Sequence, residues 1–240
     1  MFERSNLFQH FGLVNHWHRW KSLMKSGHES WSWKNCMTLV CITMVSNMAM
    51  AQDCHYRDWS WNVSQKRIVQ MRVIVKDYSM LTPGERDEQS GCSVCIEDQQ
   101  AIRIDGIPEF FVCKKYVATV QGIFNKLIQQ GEKIDSVIAY RVGRTRGNLD
   151  PQGNRTGFSN HSFGIAIDIN ANHNGLYENC VQFGAQCKLL RGGHWRPGID
   201  PYSLEQDSLI VQLMKDAGFK WGGKIQGQQK DFMHFSLTGY

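Results

Sequence analysis

The chain has 240 residues, 42% of them apolar and 20% charged, with a formal net charge of +5. That length allows one sizeable core and at most two domains, and the composition is that of an ordinary globular protein. Residues 1–51 carry five Lys/Arg against Glu3 and Glu29, which leaves 22 Lys/Arg against 20 Asp/Glu for the rest and excludes a basic face for nucleic acid.

The first element in chain order is a leader. A basic lead-in with Arg4, Arg19, Lys21, Lys25 and Lys34 precedes the uncharged run CMTLVCITMVS (36–46). Then comes NMAMAQ, where Ala49 and Ala51 form an A-x-A pattern before Gln52. This is the layout of a secretory signal peptide over 1–51. The lead-in is long, so either the n-region is extended or translation starts at Met24. An uncleaved anchor is the competing reading, but a run of about ten residues falls short of the ~20 that span a bilayer as a helix. The protein is therefore expected to be exported, periplasmic or cell-wall associated. A monomer with no stable membrane insertion after signal cleavage is expected.

Export changes the meaning of the six remaining cysteines, Cys54, Cys92, Cys95, Cys113, Cys180 and Cys187. In an oxidising compartment an even number points to disulfides. Cys180 and Cys187 close a short loop in ENCVQFGAQCKLL and form the best pair. The other four make either two further bridges or a Cys₄ zinc site.

Residues 52–240 read as one domain, with 52–134 wrapping a core built from 135–240. RIVQMRVIVKDY is an extended or helical entry element, and LTPGERDEQ reads as a helix start with Pro83 in its first turn. In YVATVQGIFNKLIQQG, Val117, Val120, Ile123, Phe124, Leu127 and Ile128 recur at helical spacing, and Gly131 supplies the stop. DSVIAYRVG follows as a strand with Val137, Ala139 and Arg141 on one face. GIAIDIN is a second strand, with Ile165, Ile167 and Ile169 on one side and Ala166, Asp168 and Asn170 on the other. Ser203 and Gln206 form an S-x-x-Q capping box for a helix with Leu209, Ile210, Leu213, Met214 and Ala217 inward, ended by Gly218. DFMHFSLTGY closes the chain as a strand with His234 and Ser236 on one face. The expected class is α+β, a central antiparallel sheet flanked by helices. No Gly-rich phosphate loop is present, so nothing asks for a nucleotide.

The chemistry concentrates in two stretches. A charged Asp168 among isoleucines is costly unless an arginine or a metal ion compensates it. His161 lies seven positions earlier, on the wrong strand parity, but Gly164 lets the chain turn and leaves His161 on the entering loop. From there its ring can fold over the face that carries Asp168. His234 supplies a third ligand, and two imidazoles with one carboxylate make a catalytic zinc set that keeps a position for water. Asp231 has the wrong parity for a fourth ligand. It is placed instead at the strand entrance as general base.

SNHSFGIAID matches the S-x-H-x-x-G-x-A-x-D motif, and DFMHF the [DE]-x-x-H motif, of the zinc D-Ala-D-Ala carboxypeptidases, with GFKWGG (218–223) just upstream of the second. Over about 135–240 the chain resembles this family, which includes vancomycin-resistance dipeptidases and phage L-alanyl-D-glutamate endopeptidases. The resemblance implies the Hedgehog/DD-peptidase fold, Zn²⁺ on His161, Asp168 and His234, Asp231 as base, and peptidoglycan stem peptides as substrate. It also implies that Arg141 contacts substrate and stabilises the tetrahedral intermediate, while Ser159 supports the site by hydrogen bonding. Arg141 as a plain ion-pair partner of Asp168 is the competing reading, and Arg144 and Arg146 are alternative bearers of its role. The insert ENCVQFGAQCKLLRGGHW departs from the family pattern and is placed at the substrate groove. His173 and His194 lack a matched acid and read as surface residues. Ser159 lacks the G-x-S-x-G elbow of a nucleophile. The same fold also serves as a non-catalytic binding module in Hedgehog signalling domains; Asp231 and Arg141 favour the enzyme.

Overall fold

In the computed structural model, which describes residues 52–239, the chain begins with a long hairpin of β1 (Asp53–Asn62) and β2 (Arg67–Asp77). The signal-peptide expectation falls on 1–51 and lies outside the described residues. Every second residue of β1 is buried, and three of these are polar: Asp58, Ser60 and Asn62. Asp58 is held by Arg72 and Arg144 at 2.9 and 3.1 Å, and Asn62 donates to Asn154 at 2.7 Å. These partners satisfy polar groups that would otherwise be expensive to bury. The outer face of the hairpin carries Trp59, Trp61, Met71, Val73 and Val75, the last three well exposed.

The helix expected at Pro83 is a single 3₁₀ turn, Pro83–Glu85. Glu85 turns back to accept from the backbone and hydroxyl of Thr82 at 2.8 and 2.9 Å, and Arg86 leaves extended to pair with Ser93. A second hairpin, β3 (Gln99–Ile104) and β4 (Ile107–Cys113), leads into α1 (Val117–Gln129). The helix buries Val120, Ile123, Phe124 and Leu127 and leaves Ile128 exposed; Gly131 follows with φ +75°.

Then come β5 (Val137–Ile138), β6 (Arg144–Leu149), β7 (Arg155–Phe158), β8 (Ala166–Ile169), β9 (Leu176–Glu178) and β10 (Lys188–Arg191). The strand expected over DSVIAYRVG pairs only at Val137 and Ile138. Beyond it the backbone serves other partners, Tyr140 donating to Phe111 and Arg141 to His161. The chain ends with α2 (Leu209–Asp216), β11 (Lys220–Trp221), β12 (Gln229–Asp231) and β13 (His234–Ser236).

The α2 start differs from the sequence expectation. Ser208, not Ser203, is the N-cap, accepting from the Val211 N–H at 3.4 Å. The Ser203 hydroxyl is already committed, accepting from Arg196 N–H and donating to the His173 carbonyl. The stop at Gly218, with φ +91°, is as expected.

The class is α+β, with the strands spread over four sheets: β2–β1–β6–β7, β10–β9–β12, β11–β13–β8–β5 and the β3–β4 hairpin. The sheet that matters for chemistry is β11–β13–β8–β5, antiparallel throughout. Ile167, Ile169 and Phe235 from it meet α1 and α2 in the main core. A second core packs the first hairpin against Phe158, Phe163 and Ile165. Disulfides join Cys54 to Cys95, Cys92 to Cys113 and Cys180 to Cys187, so the expected Cys180–Cys187 pair is present and the Cys₄ zinc alternative is excluded. No helix among the described residues is long and apolar enough to cross a membrane.

Candidate metal centre

Three elements bring three side chains to one point. β8 and β13 pair with Asp168 directly opposite His234, so both project to the same face of the sheet. His161 comes from a 3₁₀ turn, Asn160–Phe163, that ends at Gly164 with φ +65°. A side chain at Gly164 would collide with Gln99 and stand 2.6 Å from the Cys113 backbone nitrogen, so both conformation and space require glycine there. All three residues are buried.

The facing atoms form a triangle. His161 Nε2 is 3.1 Å from Asp168 Oδ1 and 3.2 Å from His234 Nδ1, and the third side is 2.8 Å. Tetrahedral zinc with bonds of about 2.0–2.1 Å would hold its ligands about 3.3 Å apart, close to these separations. The tautomer agrees: the His161 Nδ1–H faces the Ala139 carbonyl at 2.8 Å, which leaves the Nε2 lone pair aimed into the triangle. Two imidazole nitrogens and a carboxylate oxygen converging in this way can hold a cation, and the residues fit Zn²⁺. Burial pushes the Asp168 carboxyl up, but His161 and His234 outweigh it and hold the group well below the usual carboxylate range. Its other oxygen, Oδ2, accepts from Arg141 Nη2 at 3.1 Å.

Asp231 is on β12, in a different sheet from His234, so strand parity does not govern where it points. The chain turns at Phe232–Met233, and that turn is fixed firmly. Trp221 Nε1 donates to the Phe232 carbonyl at 2.8 Å, and the Phe232 ring stacks on Trp195 with centroids 3.8 Å apart. Asp231 is half-buried as a residue, yet its Oδ1 is fully shielded and has no hydrogen-bond partner among the described residues. Burial pushes its carboxyl up to about 7, Asp168 adds to the rise, and His234, Arg141 and Arg191 oppose it. A carboxylate with that value is suited to exchange protons near neutral pH.

Arg141 joins the metal centre to a cleft of about 890 Å³, lined also by Trp59, Met71, Val73 and Tyr140. That volume suits a peptide-sized ligand. Arg144 is committed to Asp58, and Arg146 donates to Asn160 at 2.9 Å. Ser159 is buried behind the site, its Oγ 3.3 Å from Ser162 Oγ, which in turn accepts from the Gly143 N–H. His173 does have matched acids, contrary to expectation: Asp200 at 2.8 Å and Asp135 at 3.2 Å, both distant in sequence. His194 is exposed.

Two contributors escaped the sequence reading. The Ala139 carbonyl has no side-chain signature. Asn160 donates to Ser236 Oγ at 2.5 Å and to the Gly239 carbonyl, tying the His161 turn to the strand of His234. Its only signal was its place between the serine and histidine of the first motif.

Residues 152–237 match a family model described as D-alanyl-D-alanine carboxypeptidase. The matched span contains Ser159, His161, Asp168, Asp231 and His234, and it begins downstream of Arg141. The match agrees with the resemblance carried by the two motifs. No curated protein and no solved structure matches the chain.

Proposed function

We propose that the chain is an exported zinc metallopeptidase that hydrolyses an amide bond in peptidoglycan stem peptides, of the D-Ala-D-Ala carboxypeptidase type. The observation that carries the reading is the shielded Asp231 oxygen, without a hydrogen-bond partner among the described residues, beside a three-donor cluster. A structural carboxylate is normally satisfied; one held ready for a proton is not. A module that only binds has no use for it.

His161, Asp168 and His234 would hold the ion, and the neutral-imidazole and carboxylate set suits zinc. Bound zinc supplies Lewis-acid polarisation of the scissile carbonyl and acidifies water. Asp231 takes the proton from the attacking water and then delivers it to the leaving amine. Arg141 has a second duty besides its bond to Asp168. Its partly exposed guanidinium offers its remaining N–H donors to the oxyanion as charge develops. Pairing of all six cysteines in the described residues supports export to an oxidising compartment.

The test is mass spectrometry of purified stem peptides after incubation with zinc-loaded protein, with Asp231→Asn alongside. Loss of a terminal D-Ala, or a cut within the stem, by the unmodified protein alone supports the proposal and names the bond. Zinc binding without any product refutes it.

A further inference from the structure

The small sheet β10–β9–β12 places three residues in one row: Arg191, just past a bulge in β10, pairs with Leu176, and Leu176 with Asp231. Residues directly opposite on antiparallel strands project to one face, and strands lie about 4.8 Å apart, so Arg191 and Asp231 leave the same face with backbones roughly 10 Å apart. The Arg191 guanidinium crosses toward the first hairpin, 5.9 Å from the Trp61 ring centroid. It is exposed and forms no ion pair among the described residues. Its neighbours differ in this respect, since Arg141 is tied to Asp168, Arg144 to Asp58 and Arg196 to Asp200.

The backbone under Arg191 is rigid. Cys180–Cys187 closes the loop between β9 and β10. Gly192 packs so tightly that a Cβ there would stand 2.5 Å from the Ala171 carbonyl and 2.8 Å from the Met233 methyl, in the turn between Asp231 and His234. The backbone that carries this cation is thus held in place beside Asp231, and no anion among the described residues pairs with the guanidinium. Its charge already acts on the Asp231 carboxyl.

We propose that Arg191 binds a carboxylate of the peptide substrate on its leaving-group side, with Trp61 as the wall behind it. The inference rests on the peptidase reading. Asp231 returns its proton to the leaving amine, so the row from Asp231 to Arg191 follows the leaving group outward. In a C-terminal residue the carboxylate is two bonds from that amine. A side-chain carboxylate on the leaving residue offers the same chemistry from a second source.

The test compares wild type, Arg191→Gln and Arg191→Lys on three stem-peptide substrates: a C-terminal acid, its amide, and an amide with a side-chain carboxylate on the leaving residue. A charge-assisted pair of this kind contributes ten- to hundredfold. Arg191→Gln should lower kcat/KM by that factor, mainly through KM, on the substrate whose carboxylate is read, over and above whatever smaller change the altered field at Asp231 produces on the plain amide. Arg191→Lys should recover part of the loss. Extra loss confined to the acid identifies the terminal carboxylate, and extra loss confined to the third peptide identifies the side chain. Equal losses on all three, with the acidic limb of the pH profile displaced, would make Arg191 an electrostatic neighbour of Asp231 and overturn the proposal. If wild type cleaves none of them, the peptidase reading fails, and calorimetric binding decides about Arg191. Tighter binding of either carboxylate peptide than of the plain amide, abolished by Arg191→Gln, supports it; no difference overturns it.

Discussion

His234 and Asp168 stand directly opposite one another on β13 and β8, with Nδ1 and Oδ1 2.8 Å apart. Residues 66 positions apart in sequence are thus placed by strand register alone. A slip of one residue would send one of them to the other face. His161 enters the same point from a turn, braced by the Ala139 carbonyl and by Asn160. Strand register and these hydrogen bonds hold the three donors in place, and preorganisation of this kind favours tight, geometry-selective binding.

The Asp231 carboxyl makes metal-free protein sensitive to pH. Burial holds it at about 7, above the ordinary aspartate value of 3.8. Between these values the folded state keeps a proton that the unfolded chain has lost, so stability falls as pH rises and the full penalty stands above pH 7. Asp231→Asn removes the penalty. The variant should be more stable than wild type at pH 8 by on the order of 2–4 kcal/mol, the gap closing toward pH 4. Denaturant titrations of chelator-treated protein check this, and equal stability at pH 8 would count against a carboxylate without a partner.

Glu85 works in the opposite sense. Burial pushes its carboxyl up, but hydrogen bonds from Lys76, Tyr56 and Thr82 outweigh it and hold the group at about 2. A depressed carboxylate contributes stability above the unfolded value near 4.5, and that stability is lost as pH falls toward 2. Glu85→Gln should cost about 2–3 kcal/mol at pH 7 and progressively less below pH 4.5. Melting curves across that window test it; a constant difference would contradict it.

The disulfides should separate stability from substrate affinity. Cys54–Cys95 spans 41 residues and Cys180–Cys187 only 7, so loop-closure entropy assigns them about 4 and about 2.5 kcal/mol. Replacing the first pair with alanine should lower the melting temperature more. Replacing the second should raise KM more, because it frees the hairpin that carries Arg191. Denaturant and kinetic titrations of the two double variants measure both effects.

Legibility along the sequence varied for physical reasons. The α1 face and the Asp168 strand were plain because their apolar residues repeat at the period of the element that forms. The first hairpin was obscure because its pattern is inverted. Asp58, Ser60 and Asn62 point inward, Asp58 and Asn62 satisfied by partners distant in sequence, while Met71, Val73 and Val75 face out. The α2 start was misplaced because a capping sequence does not reveal that Ser203 is engaged elsewhere. His161, Asp168 and His234 were legible as a set because their chemistry is costly outside it. His173 was misread because Asp135 and Asp200 reach it only through the fold.

The most direct measurement is zinc content and affinity, by equilibrium dialysis with elemental analysis, of wild type, His161→Ala and Asp231→Asn, with turnover followed in parallel. One zinc per chain is expected in wild type and in Asp231→Asn, and none in His161→Ala, while Asp231→Asn loses turnover by at least about a hundredfold, the scale of general-base catalysis. Loss of zinc from Asp231→Asn as complete as from His161→Ala would make Asp231 a ligand. No zinc in wild type would contradict the metal centre itself.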